Sequence, residues 1–199
     1  LQSQRPAEVT GGYRALADLC AEAYFDVVLT TNLDPLLDDA LANARLWRKD
    51  YLLLVNGVVL PDWLKVLLNA PSPRVKVVKL HGDLFHRCMA WTVAEMDTFL
   101  QGVAPLLQMA LANRDLLVVG HSLRDARIRE MVENAGGTIW YATPGTVPDF
   151  LQGDPRVRAV RCALHAAPAG TRSRSRRPHA GARDLFRNSR HAGAPRPTA

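Results

Sequence analysis

Two hydrophobic periods alternate along the chain. Val75-Lys76-Val77-Val78-Lys79-Leu80 is a β-branched run that stops at His81-Gly82-Asp83, which reads as a mostly buried strand closed by a turn. Phe25 to Leu29, the fully apolar Leu116 to Val119, Thr138 to Ala142 and an edge strand over Val157 to Val160 read the same way. Tyr51 to Leu60 predicts two short strands around Asn56-Gly57, a strong hairpin signal, or else buried irregular structure in an insertion. Helical spacing fills the intervals. Thr10 caps a helix from Gly11 to about Ala23, with Tyr13, Leu16, Ala17, Leu19 and Cys20 on its apolar side. Asp34 and Pro35 open a helix carrying Leu36, Leu37, Ala40, Leu41 and Ala44. Asp62 to Asn69 is a short amphipathic helix, and Thr92 with Glu95 forms a capping box for a helix to Gln101. Further helices are expected from Pro105 to Ala112 and from Arg124 to about Ala135, the latter ending at Gly136-Gly137. Strands alternating with helices give an α/β class built on a parallel sheet.

The polar residues gather where strands end. Open α/β sheets bind ligands at the carboxyl ends of their strands. Three such ends carry polar clusters: Thr30-Thr31-Asn32-Leu33-Asp34, His81-Gly82-Asp83 and Gly120-His121-Ser122-Leu123-Arg124-Asp125. They are expected to converge on one rim, the candidate active site. His81 titrates near neutrality and can take a proton in a transition state. Gly82 lets the backbone turn and leaves room beside His81. Asp83 either orients the imidazole or caps the next segment. Asp34 is accounted for as a helix cap, but Asn32 is not. An uncharged amide holds a sugar hydroxyl or a water without adding charge, and ribosyl cleavage passes through an oxocarbenium-like state.

Gly120 to Asp125 has two functional readings. One is a phosphate- or ribose-binding turn, with a glycine after a strand, a hydroxyl at Ser122 and a helix start. The other is the nucleophile elbow of an α/β-hydrolase-like serine esterase using Ser122. The elbow, however, requires glycine where Arg124 stands, and although an acid and His165 follow Ser122, His165 lies in the arginine-rich tail.

Composition changes near Arg156. Residues 1–155 hold 14 Lys+Arg and 18 Asp+Glu, a net charge of −4, whereas residues 156–199 hold 11 Arg, no Lys and the single acid Asp184, a net of +10. The overall charge of +6 is therefore a property of the tail and does not mark a nucleic-acid-binding domain. The stretch 163–199 is rich in Arg, Pro and Ala without hydrophobic periodicity, and is expected to be disordered. The favoured reading is a solvated, non-native extension, since out-of-frame translation of GC-rich DNA tends to give arginine-rich, lysine-free sequence. Contact with nucleic acid or an anionic membrane is the minor alternative. Cys20, Cys88 and Cys162 are far apart and form no CxxC pair, so neither a disulfide framework nor a zinc ribbon is expected, and idle thiols in a cytoplasmic setting are the default. There is no signal peptide and no apolar run long enough to span a bilayer.

Together, Thr30-Thr31-Asn32-Leu33-Asp34, Lys79-Leu80-His81-Gly82-Asp83 and Gly120-His121-Ser122-Leu123-Arg124-Asp125 resemble the SIR2-like domain family, a bacterial branch related to sirtuins that includes NAD-hydrolysing effectors of antiphage defence. The three stretches occur in the family's order. The resemblance implies a Rossmann-like parallel sheet with helices on both faces, spanning residues 10–162, with NAD bound as a substrate. It assigns Asn32, Asp34 and His81 to catalysis. It assigns Thr30, Thr31, Gly82, Gly120, Ser122 and Leu123 to the dinucleotide. Nicotinamide would leave and water would attack, with His81 assisting deprotonation.

The chain departs from the family's pattern in two places. It has no four-cysteine zinc module, so NAD hydrolysis is expected over protein deacylation, and no zinc is expected. The family also opens with a strand and a Gly-Ala-Gly-type phosphate loop, whereas only Gly11-Gly12 precede Phe25 here. The expectation is a sheet incomplete at its N-terminus and weakened or absent binding. A catalytically silent module that binds a partner is the third reading. Expected partners are NAD and either a second copy or a partner domain, with no specific nucleic acid and no membrane.

Overall fold

The computed structural model describes residues 9–47 and 49–161. The arginine-rich stretch from residue 163, together with Cys162 and His165, lies outside the described residues. In chain order the elements are α1 (Gly11–Ala21), β1 (Val27–Thr30), α2 (Leu36–Asn43), β2 (Tyr51–Val55), α3 (Pro61–Asn69) and β3 (Val75–Lys79). A small hairpin, β4 (Gly82–Asp83) and β5 (Cys88–Met89), follows. Then come α4 (Val93–Gln101), α5 (Ala104–Leu111), β6 (Leu116–Val119), α6 (Ala126–Glu133), β7 (Ile139–Thr143) and β8 (Val157–Arg161).

The α/β class holds, with parallel pairing throughout the main strands. β1, β3 and β2 form one sheet in that order, and β6, β7 and β8 form a second. β3 sits between two neighbours, so all five of its residues are buried. Its side chains divide by the two-residue period of a strand. Val75 and Val77 pack with Ala17 and Cys20 of α1 and Leu37, Ala40 and Leu41 of α2. Val78 joins the opposite core with Leu64 and Leu68 of α3, Leu107 and Leu111 of α5, and Ile128, Met131 and Val132 of α6. Helices therefore cover both faces. Val27 and Leu29 of β1 and Leu116 and Val118 of β6 pack against that same core, so it joins the two sheets. β1 and β6 do not pair with each other; at their starts the Arg114 guanidinium binds the Asp26 carboxylate, 2.5 Å from Oδ1.

The hairpin expected at Asn56-Gly57 is not formed. β2 pairs in parallel with β3, and the chain turns as the Val58 and Val59 amides both donate to the Val55 carbonyl at 3.0 Å. The reason is the Asn56 side chain. It is buried and donates to the carbonyls of Leu80 (2.8 Å) and Phe99 (2.7 Å), bolting the end of β3 to α4. A buried amide so engaged is not available as an exposed turn residue. The capping box of α4 is present as expected, with Thr92 and Glu95 exchanging bonds. α6 stops at Asn134, whose amide donates to the Glu130 carbonyl, two residues short of Gly136.

One buried cation ties the strand ends together. Lys79, the last residue of β3, is 1% exposed. Its ammonium donates to the Asp34 carbonyl at 2.7 Å and to the Asp83 carboxylate, with Asp38 at 3.8 Å. Asp83 also accepts from the His86 amide and ring, at 3.0 and 2.8 Å. Burial pushes the Asp83 carboxyl up, but the bonds from Lys79 and His86 outweigh it and hold the carboxyl at about 2.

Removing one partner of a buried pair strands the other, so Lys79→Met is expected to cost about 3–5 kcal/mol in urea unfolding. Because the folded-state Asp83 value lies below its ordinary 3.8, this contribution is complete above pH 3.8 and is lost as pH falls toward 2. Acid titration of unfolding should show a loss in that window that Lys79→Met lacks. Gly82 has φ +93°, and a Cβ there would lie 1.9 Å from the Cys88 carbonyl oxygen. Gly82→Ala is expected to destabilise by more than about 1 kcal/mol, read from the urea midpoint.

Candidate functional site

The loop after β1 is built by short-range bonds. Thr30 accepts the Asn32 amide on its hydroxyl at 3.1 Å, and its carbonyl accepts the Leu80 amide at 2.8 Å. Thr31 is half-buried and Asn32 is exposed. The Asn32 side-chain amide donates to the Tyr13 hydroxyl of α1, which packs beside α2 on the same face of β3, so α1 fixes its direction. Burial of Tyr13 raises its phenol, partly offset by that bond. Asp34 accepts the Leu36 amide at 3.0 Å on its carboxylate, anchoring the first turn of α2, although Pro35 occupies the cap position. Its carboxylate is thus engaged by α2 and its carbonyl by Lys79.

The turn after β3 lies against this loop. The Leu84 amide donates to the Leu33 carbonyl at 3.1 Å, and β4 and β5 close over the His81 carbonyl through the Ala90 amide at 3.0 Å. His81 is 7% exposed. Its Nε2 is buried and has no hydrogen-bond partner among the described residues. Asp83, which the sequence offered as a partner for the imidazole, points elsewhere. Both its oxygens are taken by Lys79 and His86, because the buried ammonium is the stronger claim on a carboxylate two residues away from His81.

The carboxylate that does face His81 comes from the third loop. Asp125 Oδ2 lies 3.5 Å from His81 Nε2. Asp125 also caps α6, its Oδ1 accepting the amides of Arg127 (3.0 Å) and Ile128 (3.1 Å). The loop is further braced by the Leu123 amide on His121 Nδ1 (2.9 Å) and by the Tyr141 hydroxyl on the His121 carbonyl (2.8 Å). Leu123 is buried with φ +53°, so it serves the loop's packing. Gly120, at φ +66°, has open space where a Cβ would stand.

Ser122 is exposed, and no hydrogen bond joins it to either histidine among the described residues. The positive φ angles fall on Gly120 and Leu123 and not on Ser122, unlike the strained serine of a nucleophile elbow.

The three strand ends meet at His81. Its loop is bonded to the Asn32 loop and its ring faces Asp125. Burial lowers its pKa more than Asp125 raises it, so the imidazole is neutral at pH 7 and free to accept a proton. His121 is lowered by burial and then by the nearby His81, with Asp125 opposing. The neutral base, the exposed Asn32 amide, the Ser122 hydroxyl and the open Gly120 turn fit a polar substrate carrying sugar hydroxyls. Tyr13 was not expected here, and His121 and Asp125, expected at the rim as part of the third cluster, had been given no role of their own. In sequence Asp125 is one member of a polar cluster at a helix start, and nothing in its spacing shows which group its carboxylate faces. Among the described residues no three His, Cys, Asp or Glu side chains cluster as metal ligands, and burial pushes the Cys20 thiol up to about 11.

No curated protein matches the chain. The family model described as a SIR2-like domain matches residues 26–144, more than half of the chain and all three strand-end loops. That match carries an NAD-related function in general. With its parallel α/β fold and its histidine-centred rim, the chain belongs to the SIR2-like domain family.

Proposed function

We propose that this domain is an NAD+ hydrolase that releases nicotinamide. The observation that supports this reading is His81: a buried, neutral imidazole at the point where three polar strand ends meet, inside the matched region. NAD is the substrate, with Thr30, Thr31, Gly120 and Ser122 as its accessible binding residues, and the buried Gly82 and Leu123 shaping that surface from beneath. Cleavage of the bond between nicotinamide and the ribose C1′ leaves an oxocarbenium-like centre, and nicotinamide departs with the bonding electron pair. Asn32, held by Tyr13, positions a ribose hydroxyl or the attacking water. Water adds to C1′ and His81 takes its proton, giving ADP-ribose, nicotinamide and a proton released to solvent. Asp34 is the third member of the proposed catalytic set, held in place as its Oδ1 accepts the Leu36 amide and its carbonyl accepts Lys79. A cytoplasmic setting, a role in antiphage defence, and assembly with a second copy or a partner domain belong to the same reading. No described helix is long and apolar enough to cross a membrane.

The test is nicotinamide release from NAD by the purified full chain. His81→Ala is expected to lower turnover about 10²–10⁴-fold, and Asn32→Ala to lower it as well, with circular dichroism unchanged. Turnover that survives His81→Ala would remove the imidazole from the mechanism. Labelling of Ser122 by a fluorophosphonate probe would instead favour the serine esterase. NAD binding without turnover would favour the silent module.

A further inference from the structure

We propose that Asp125 is the positioning residue of His81, receiving Nε2–H on its Oδ2 and leaving Nδ1 as the basic nitrogen. The activity arm of this proposal rests on the NAD-hydrolase reading; the tautomer it specifies does not. His81 Nε2 is buried, unpartnered among the described residues, and 3.5 Å from Asp125 Oδ2. A neutral imidazole carries one N–H and one lone pair. The Nδ1–H tautomer would turn the Nε2 lone pair toward a carboxylate oxygen inside a buried site. The Nε2–H tautomer turns a donor toward it. The second arrangement is the attractive one, and a shift of a few tenths of an ångström completes the bond. Hydrogen bonds in catalytic sites are often long before substrate arrives.

Asp125 is well held for this task. Its Oδ1 is committed to the Arg127 and Ile128 amides at the start of α6, which fixes the carboxylate plane and leaves Oδ2 directed at His81. The loop behind it is braced by the bonds to His121 and from Tyr141. His121 is the other titratable group facing the pair. Its Nδ1 already accepts the Leu123 amide, so its neutral-form proton sits on Nε2. A charge on either histidine disfavours a charge on the other, and Asp125 favours both. When His81 takes a proton from water, Asp125 is the anion that balances the new imidazolium. The same carboxylate therefore starts a helix and sets the direction of a base.

The variant that separates these roles is Asp125→Asn. Asparagine caps helices as well as aspartate does, so α6 is kept. With its oxygen retained by the α6 amides, its NH2 faces His81 Nε2 and requires a lone pair there. Long-range ¹H–¹⁵N NMR of the full chain from pH 5 to 8 reads the His81 tautomer and pKa without any substrate. The expected result is Nε2–H in the wild type, Nδ1–H in Asp125→Asn, and a lower His81 pKa in the variant. Asp125→Ser, which also caps but presents nothing to Nε2, is expected to lower the pKa as well.

In nicotinamide release, Asp125→Asn is expected to lower kcat about 10²–10⁴-fold, with KM and the urea midpoint little changed. The acid limb of kcat/KM should move to lower pH. A wild-type His81 in the Nδ1–H form overturns the proposal. So does an unchanged tautomer and pKa in Asp125→Asn, or unchanged kcat with a flipped tautomer. A wild-type chain with the expected tautomer that releases no nicotinamide overturns the NAD reading and leaves the pairing standing.

Discussion

A lysine ammonium with almost no access to water sets the arrangement of the strand ends. Lys79 closes the central strand of its sheet, where both faces are covered by helices. A buried charge must be paired and hydrogen-bonded or it will not be tolerated. The chain meets that demand with the Asp34 carbonyl from one loop and the Asp83 carboxylate from the next, and Asp38 of α2 stands nearby. His81 and Gly82 lie between two partners of this knot, Lys79 and Asp83. The turn that presents His81 is thereby held from both sides, and the Asn32 loop is drawn against it by the same cation.

With Asp83 absorbed into that knot, His81 is left to a different carboxylate. Asp125 arrives from the second sheet, at the start of α6. The candidate site therefore depends on how the two three-stranded sheets pack across a shared core, because neither holds both members of the pair. Leu29 and Val118 pack against that core, and the Arg114–Asp26 pair ties the opposite, amino ends of β1 and β6. Electrostatics at the meeting point is economical. There are two imidazoles and one carboxylate, and burial keeps both imidazoles neutral near pH 7.

The competing serine chemistry shows how little a short stretch of sequence says about geometry. Val118-Val119-Gly120-His121-Ser122-Leu123 looks like a strand running into a nucleophile turn. In the fold, α6 begins only after Asp125, and the residues between Gly120 and Asp125 form a braced loop and not a tight elbow. The hydroxyl is exposed at its surface. A serine so placed lacks the strained backbone of an elbow nucleophile.

Much of the fold was legible because it rests on local rules. Period-two runs such as Val75 to Lys79 and capping signals such as Thr92 with Glu95 act over a few residues, so the α/β class and most elements followed from the sequence itself. The three polar strand ends were legible too, since parallel sheets collect ligands at one edge. Asn56 was not, because a buried amide bonded to Leu80 and Phe99 looks in sequence like the first half of a turn. Nor was the choice between Asp83 and Asp125 as partner to His81. The nearer residue in sequence is taken by a buried ammonium, and the farther one is brought in by packing between two sheets. Residue types and spacing determined which groups this protein can bring to its rim. Which carboxylate meets which base was decided by the tertiary structure, because that depends on competition for buried charge among residues far apart in the chain.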